Sequence, residues 1–292
     1  MAKNAEVIAV SEMSKSAGLI TWWKLGGEID LDSLGAAWRT AGLSETTLPL
    51  QSSPTVALRR ALERLFVKPN KGVDLQRIAP KGQSPGGFAV IRFSQEDSED
   101  ALQDLVFNTK FKVWLEDGIV NVACSEKSKD ELRRAVWQAF QEEQQKVNAH
   151  DLSAWLVRRV EAVGAVRLRE GGGVYFVPDT KVQVWRAIAG AFESVSTSTI
   201  YEIPAMRSSR AVTAILDALV AEAQQEADRM NGELDQAALG ERAIASRQEA
   251  CKALLAKVAD YEKLLGTKME SLHSMLGVLQ ARLIEATLMV AE

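Results

Sequence analysis

Between residues 251 and 283, apolar side chains recur at intervals of three and four: Cys251, Leu254, Val258, Tyr261, Leu265, Met269, Leu272, Leu276, Leu279 and Leu283. That spacing returns a side chain to one helix face on every turn, so it dictates a helix with a continuous apolar stripe. A stripe sustained over several heptads is the pattern of a coiled coil or bundle, because water will not solvate it and another helix must cover it. Upstream, Val212, Ile215, Leu216, Leu219, Ala223, Ala227 and Met230 keep the same spacing, and no proline follows Pro204. Asn231-Gly232 and Gly240 are the points where this first helix can bend or end. The expectation for 207–292 is a helical hairpin or coiled coil, covered partly by its first helix and partly by a second copy of the chain. Leu254, Val258, Tyr261, Leu265, Met269, Leu272, Leu276, Leu279 and Leu283 are the expected oligomerisation contacts.

Ahead of the helices the pattern changes. All seven tryptophans precede residue 186, which marks a packed body. Residues 1–18 are small and polar and read as a loosely held lead-in. The tandem Trp22-Trp23 sits on a strand or a helix, one ring in a core and the other in a secondary contact. Asp30 or Asp32 caps a short helix through Leu34, Trp38 and Ala41, stopped by Gly42. A second helix starts at Thr55, carries Leu58, Leu62, Leu65 and Phe66, and ends before Pro69. From Val73 the apolar period is two. Strands are expected at 75–79 and 88–93, then at 105–115 and 119–124 with Asp117-Gly118 as the hairpin turn.

Ser128 opens a helix with Val136, Trp137 and Phe140. Asp151 then caps one bearing Trp155 and Val160. Residues 166–169 and 174–177 form a hairpin around Gly171-Gly172-Gly173, and a helix through Trp185 and Phe192 leads to a strand at 199–203. The fold class is therefore α+β: antiparallel β-hairpins packed with helices over 19–206, followed by the long C-terminal helical region. The units 105–147 and 151–203 echo one another, since Arg134-Ala-Val-Trp-Gln-Ala-Phe140 and Arg186-Ala-Ile-Ala-Gly-Ala-Phe192 each follow a hairpin. Either the unit is duplicated, with Trp137 and Phe140 matching Trp185 and Phe192 in buried positions, or two generic amphipathic units look alike.

No constellation of side chains points to catalysis. His150 precedes a helix and His273 lies within one, neither beside a nucleophile motif. Cys124 and Cys251 are isolated from other ligand types, so no zinc site or disulfide framework is expected. Glu28, Asp30 and Asp32 either hold a hard cation or cap the next helix, and no further carboxylate cluster supports the cation. The glycine run 171–173 leads into a strand, whereas a phosphate loop must lead into a helix. No cofactor or metal is expected.

No run of 18 apolar residues and no apolar leader segment occurs, which implies a cytoplasmic protein without a membrane span. Thirty-five basic against thirty-nine acidic residues leave a net charge of −4 and no global pull toward nucleic acid. One stretch departs from this balance. Arg59, Arg60, Arg64, Lys68, Lys71, Arg77 and Lys81 face only Glu63 and Asp74 within 54–81. They either track phosphates, with Phe66 as a stacking face, or form a solvated face paired with acidic groups.

The run Gly172-Gly173-Val174-Tyr175-Phe176-Val177-Pro178, followed by a helix and Ile200-Tyr201-Glu202-Ile203-Pro204, resembles a family of uncharacterised bacteriophage and plasmid proteins that end in long helices. The resemblance spans residues 150–206. It implies a bacterial or phage origin and brings no activity or site residue with it. The expected function is that of a non-enzymatic, self-associating assembly or interaction protein that oligomerises through its C-terminal helices, with itself or another protein as partner. The alternative is a sequence-independent nucleic-acid-binding accessory protein that uses residues 54–81.

Overall fold

The computed structural model describes residues 16–78, 87–96, 104–124, 129–169, 171–236 and 239–290. In chain order the elements are β1 (Ser16–Lys24), β2 (Ile29–Asp30), α1 (Leu31–Thr40), α2 (Pro54–Leu62), β3 (Val73–Arg77), β4 (Gly87–Glu96), β5 (Asp104–Glu116) and β6 (Ile119–Cys124). They continue with α3 (Lys129–Gln144), β7 (Lys146–Val147), α4 (Ala149–Ala162), β8 (Val166–Arg167), β9 (Tyr175–Pro178) and α5 (Val182–Glu193). The chain closes with β10 (Thr199–Met206), α6 (Ser209–Gln236), α7 (Glu241–Leu265) and α8 (Glu270–Val290). The α+β class and the helical C-terminal region follow the sequence pattern. Among the described residues, no helix is long and apolar enough to cross a membrane.

The chain divides into two compact units, and the division is not the expected one at 206/207. One unit holds residues 27–39 and 44–152; the other holds residues up to Gly26, Thr40–Leu43 and Ser153–Glu292. The C-terminal helices are therefore not an appendage. Phe176, Val166, Ala17 and Ala205 of the body share one core with Ile215, Leu219, Tyr261 and Leu276 of the helices.

In the first unit, β3-β4-β5-β6 form an antiparallel meander. Asp117 and Gly118 take φ of 50° and 77°, the left-handed pair that a two-residue hairpin turn requires, and Glu116 pairs with Ile119 across it. Alternation then turns Phe111, Val113, Leu115, Val120 and Val122 to one face, where Leu58, Ala61 and Leu62 of α2 and Val136, Ala139 and Phe140 of α3 cover them. Helix α2 runs on as a π-helical turn over Glu63–Val67. The expected cap at Asp151 belongs instead to Asn148, whose Oδ1 accepts the Asp151 backbone N–H at 2.9 Å. Asp151 in turn accepts the Asn148 side-chain amide at 2.8 Å, a side-chain bond that steadies the cap.

In the second unit the strand order is β10-β1-β9-β8, every pairing antiparallel. Strand β1 resolves the tandem tryptophans onto opposite faces. Trp22 stacks on Tyr201 at 5.3 Å between ring centres, and Trp23 on Tyr175 at 5.4 Å. Trp185 of α5 lies fully buried and donates its indole N–H to the buried Thr21 hydroxyl at 3.2 Å. Pro204 is accommodated because β10 is an edge strand, where a missing N–H need not break the ladder.

The sequence echo does not correspond to a structural repeat. Hairpin β5–β6 continues a meander from β4, whereas β9 has β1 as its other neighbour and the chain must return through β10. Phe140, Trp185 and Phe192 are buried as expected, but Trp137 is 37% exposed.

Candidate functional site

The C-terminal stripe folds back on itself. Gly266 ends α7 with φ 69°, its N–H donating to Glu262 O at 2.8 Å, the left-handed glycine stop of a helix. Glu262 then reaches forward to accept the Met269 N–H at 2.6 Å and sits 3.2 Å from His273 Nε2. The backbone N–H of Met269 first, and then the His273 side chain, hold the Glu262 carboxyl below its usual range. With this turn fixed, α8 runs antiparallel to α7: Cys251 Sγ faces Leu276 O at 3.8 Å, and the Gln248 amide reaches Thr287 Oγ1 at 3.0 Å.

Leu254, Val258 and Tyr261 on α7 thus meet Met269, Leu272, Leu276, Leu279 and Leu283 on α8, all buried, with Leu265 half-buried beside them. Helix α6 closes the third side with Ile215, Leu219, Ala223, Ala227 and Met230. Ion pairs along its length, Glu222 with Lys257 and Glu233 with Arg247, orient it, and Arg282 pairs with Asp235. Tyr261 donates to Gly164 O at 2.9 Å, anchoring α7 to the turn after α4. This corrects the expected role of the stripe: its residues form a core within one chain, not a seam left for a second copy. The break at 266–269 preserves the apolar phase, so the period alone reads through it.

What remains open is the opposite side of α8. Val278, Ile284, Leu288 and Met289 are 62%, 51%, 65% and 68% exposed. With exposed Gly277 and Ala281 they share one face, on which Glu285 is the single charge between residues 277 and 289; Glu270 lies on the same face at the start of the helix. Sequence reasoning passed over these residues because attention to the stripe hides them. The signal was present in the apolar residues of α8 that lie outside the three-four spacing, since a helix apolar all round is normally buried all round.

The basic stretch is largely paired. Arg59 lies 3.5 Å from Glu63, Arg60 donates to Ser52 Oγ at 2.9 Å and lies 3.7 Å from Asp151, and Arg64 contacts Glu142 at 2.6 Å and Glu143 at 3.3 Å. Glu143 is a buried carboxylate held between Arg64 and Lys146, so Arg64 is a structural cation. Its hydrogen bond is the main cause of the lowered pKa of Glu142. Phe66 packs edge-on against Phe111 at 4.9 Å, which occupies the ring assigned to stacking. Lys68, Lys71 and Arg77 are exposed, and Lys81 lies outside the described residues.

The remaining candidates fall to structural roles. Asp30 Oδ1 accepts the Ser33 N–H at 2.8 Å and so caps α1, while Glu28 lies 3.9 Å from Lys146. Among the described residues, no group of three His, Cys, Asp or Glu side chains is placed to hold a metal ion. Gly171, at φ 65°, shapes the turn between β8 and β9. Burial raises the Cys251 thiol pKa, which makes it a poor nucleophile. No curated protein and no solved structure matches this chain. One family model does match, over residues 18–291, and by that match the chain belongs to a family of unknown function (DUF6744).

Proposed function

We propose that the chain is a non-enzymatic assembly protein that associates with a second copy of itself through the outward face of α8. The observation that carries this reading is the apolar, nearly uncharged strip Gly277, Val278, Ala281, Ile284 and Leu288, open along the C-terminal half of a helix of 21 residues. Water penalises such a strip, and a face without charge is complementary to its own copy. An antiparallel pair crossing at Ala281 sets Gly277 and Ala281 at the point of closest approach, where small side chains let the helices come near. The same crossing separates the two Glu285 carboxylates by about 12 Å along the axis, beyond the screening length of about 8 Å at physiological salt.

From Gly277 to Met289 the strip is about 18 Å long, and a single helix pair of that length buries less than the ~1,200 Å² of a stable complex. The dimer is therefore weak and concentration-dependent, suited to assembly where copies are already crowded. A bacterial or phage origin belongs to the same reading. Sedimentation velocity over a concentration series tests it: the wild type shifts toward the dimer as concentration rises, and Ile284→Glu with Leu288→Glu remains monomeric with unchanged helical signal. A wild type that stays monomeric up to millimolar concentration refutes it.

The second reading, sequence-independent contact with nucleic acid through 54–81, rests on the exposed Lys68, Lys71 and Arg77. Its mark is affinity that falls steeply with salt and is lost when these three become glutamine.

A further inference from the structure

A concavity of about 300 Å³ lies between α3 and the start of β6, lined by Ile119, Val120, Arg133, Arg134 and Trp137. Its floor is apolar and open. Ile119 is 58% exposed, and Trp137, set against Phe140 at 5.6 Å, presents its outer surface to solvent. Its rim is cationic. Arg133 and Arg134 precede Trp137 by four and three residues, the spacings that place helical side chains side by side. Neither guanidinium is firmly committed. Arg134 uses Nε on the Asp130 carbonyl oxygen at 3.3 Å, and the nearest carboxylate to Arg133 among the described residues is Asp130 at 4.0 Å, itself exposed.

We propose that this concavity binds a small amphipathic organic anion, a carboxylate carried on an aromatic ring or a short branched chain. The apolar part lies on Trp137, Ile119 and Val120, and the carboxylate takes the planar donors of Arg133 and Arg134, which match its geometry. The volume stands at the lower end of the range for ligand pockets, which selects a compact ligand. Charge complementarity selects its sign. The site is formed by Ile119, Val120, Arg133, Arg134 and Trp137 and is independent of the α8 face.

The test is calorimetric titration of the full chain with 4-phenylbutyrate and with its uncharged counterpart, 4-phenylbutan-1-ol. The acid binds in the sub-millimolar range and more tightly than the alcohol. Arg133→Gln with Arg134→Gln weakens the acid about tenfold or more and leaves the alcohol unchanged. Ile119→Ser, at an exposed position, weakens both. Circular dichroism of each variant establishes that the fold persists. Equal affinity for acid and alcohol, an acid affinity indifferent to the double substitution, or no binding at several millimolar overturns the proposal. So does salt-sensitive binding of a short oligonucleotide in place of the acid.

Discussion

Leu276 lies in the middle of the three-helix core with no solvent exposure, and its own carbonyl faces Cys251 from the adjoining helix. Replacing it with alanine removes three carbons from a site closed on every side by α6, α7 and α8. The loss is the transfer free energy of those carbons plus the cavity left by incomplete collapse, about 3–4 kcal/mol for a fully enclosed leucine. With a urea dependence of about 2 kcal/mol per molar, Leu276→Ala lowers the unfolding midpoint by roughly 1.5–2 M. Far-ultraviolet circular dichroism during a urea titration reads this directly, because the C-terminal helices contribute much of the helical signal. Leu288→Ala is the matched control, an exposed leucine on the same helix, and changes stability by no more than about 0.5 kcal/mol. If Leu276→Ala leaves the midpoint unchanged and only reduces the sedimenting mass, the stripe is an intermolecular seam after all. Equal destabilisation by the two substitutions would mean that α8 presents a different face to its neighbours.

Trp185→Ala should destabilise its unit by about 3–5 kcal/mol, since the ring is fully buried and its loss also strips the Thr21 hydroxyl of a donor; thermal or urea unfolding measures it. Gly266→Ala meets no atom within 4 Å but keeps φ at 69°, so only the left-handed strain of about 1–2 kcal/mol should appear. Arg64→Gln should cost about 1–3 kcal/mol by leaving buried Glu143 to Lys146 alone, whereas Arg59→Gln, at an exposed pair, should be nearly neutral. The Glu262 carboxyl has a depressed folded-state pKa, so its stabilisation is complete above the ordinary value of 4.5 and is lost as pH falls through the folded-state value. Glu262→Gln should accordingly flatten the acid limb of stability against pH below that value.

Local chemistry made several features of this chain legible in advance. The Asp117-Gly118 turn and the helix stretches with three-four spacing depend on neighbours in sequence, and so does the two-sided placement of Trp22 and Trp23 once β1 is known to be a strand. Tertiary structure decided what each of these surfaces touches. Strand β1 enters between β9 and β10, about 155 to 190 residues away in sequence, and ties the first described strand to the last helices. Arg60 and Arg64 find Asp151, Glu142 and Glu143 roughly 80 to 90 residues away, which converts a basic stretch into a paired face. The apolar stripe reads the same whether Gly266 lets it close on itself or leaves it for a partner. Periodicity specifies which side of a helix avoids water, but the identity of the covering surface is a long-range pairing that no local pattern encodes. That is why α8 was recognised as apolar from its spacing, while its buried and open faces were assigned only by the packing of α6 and α7 against it.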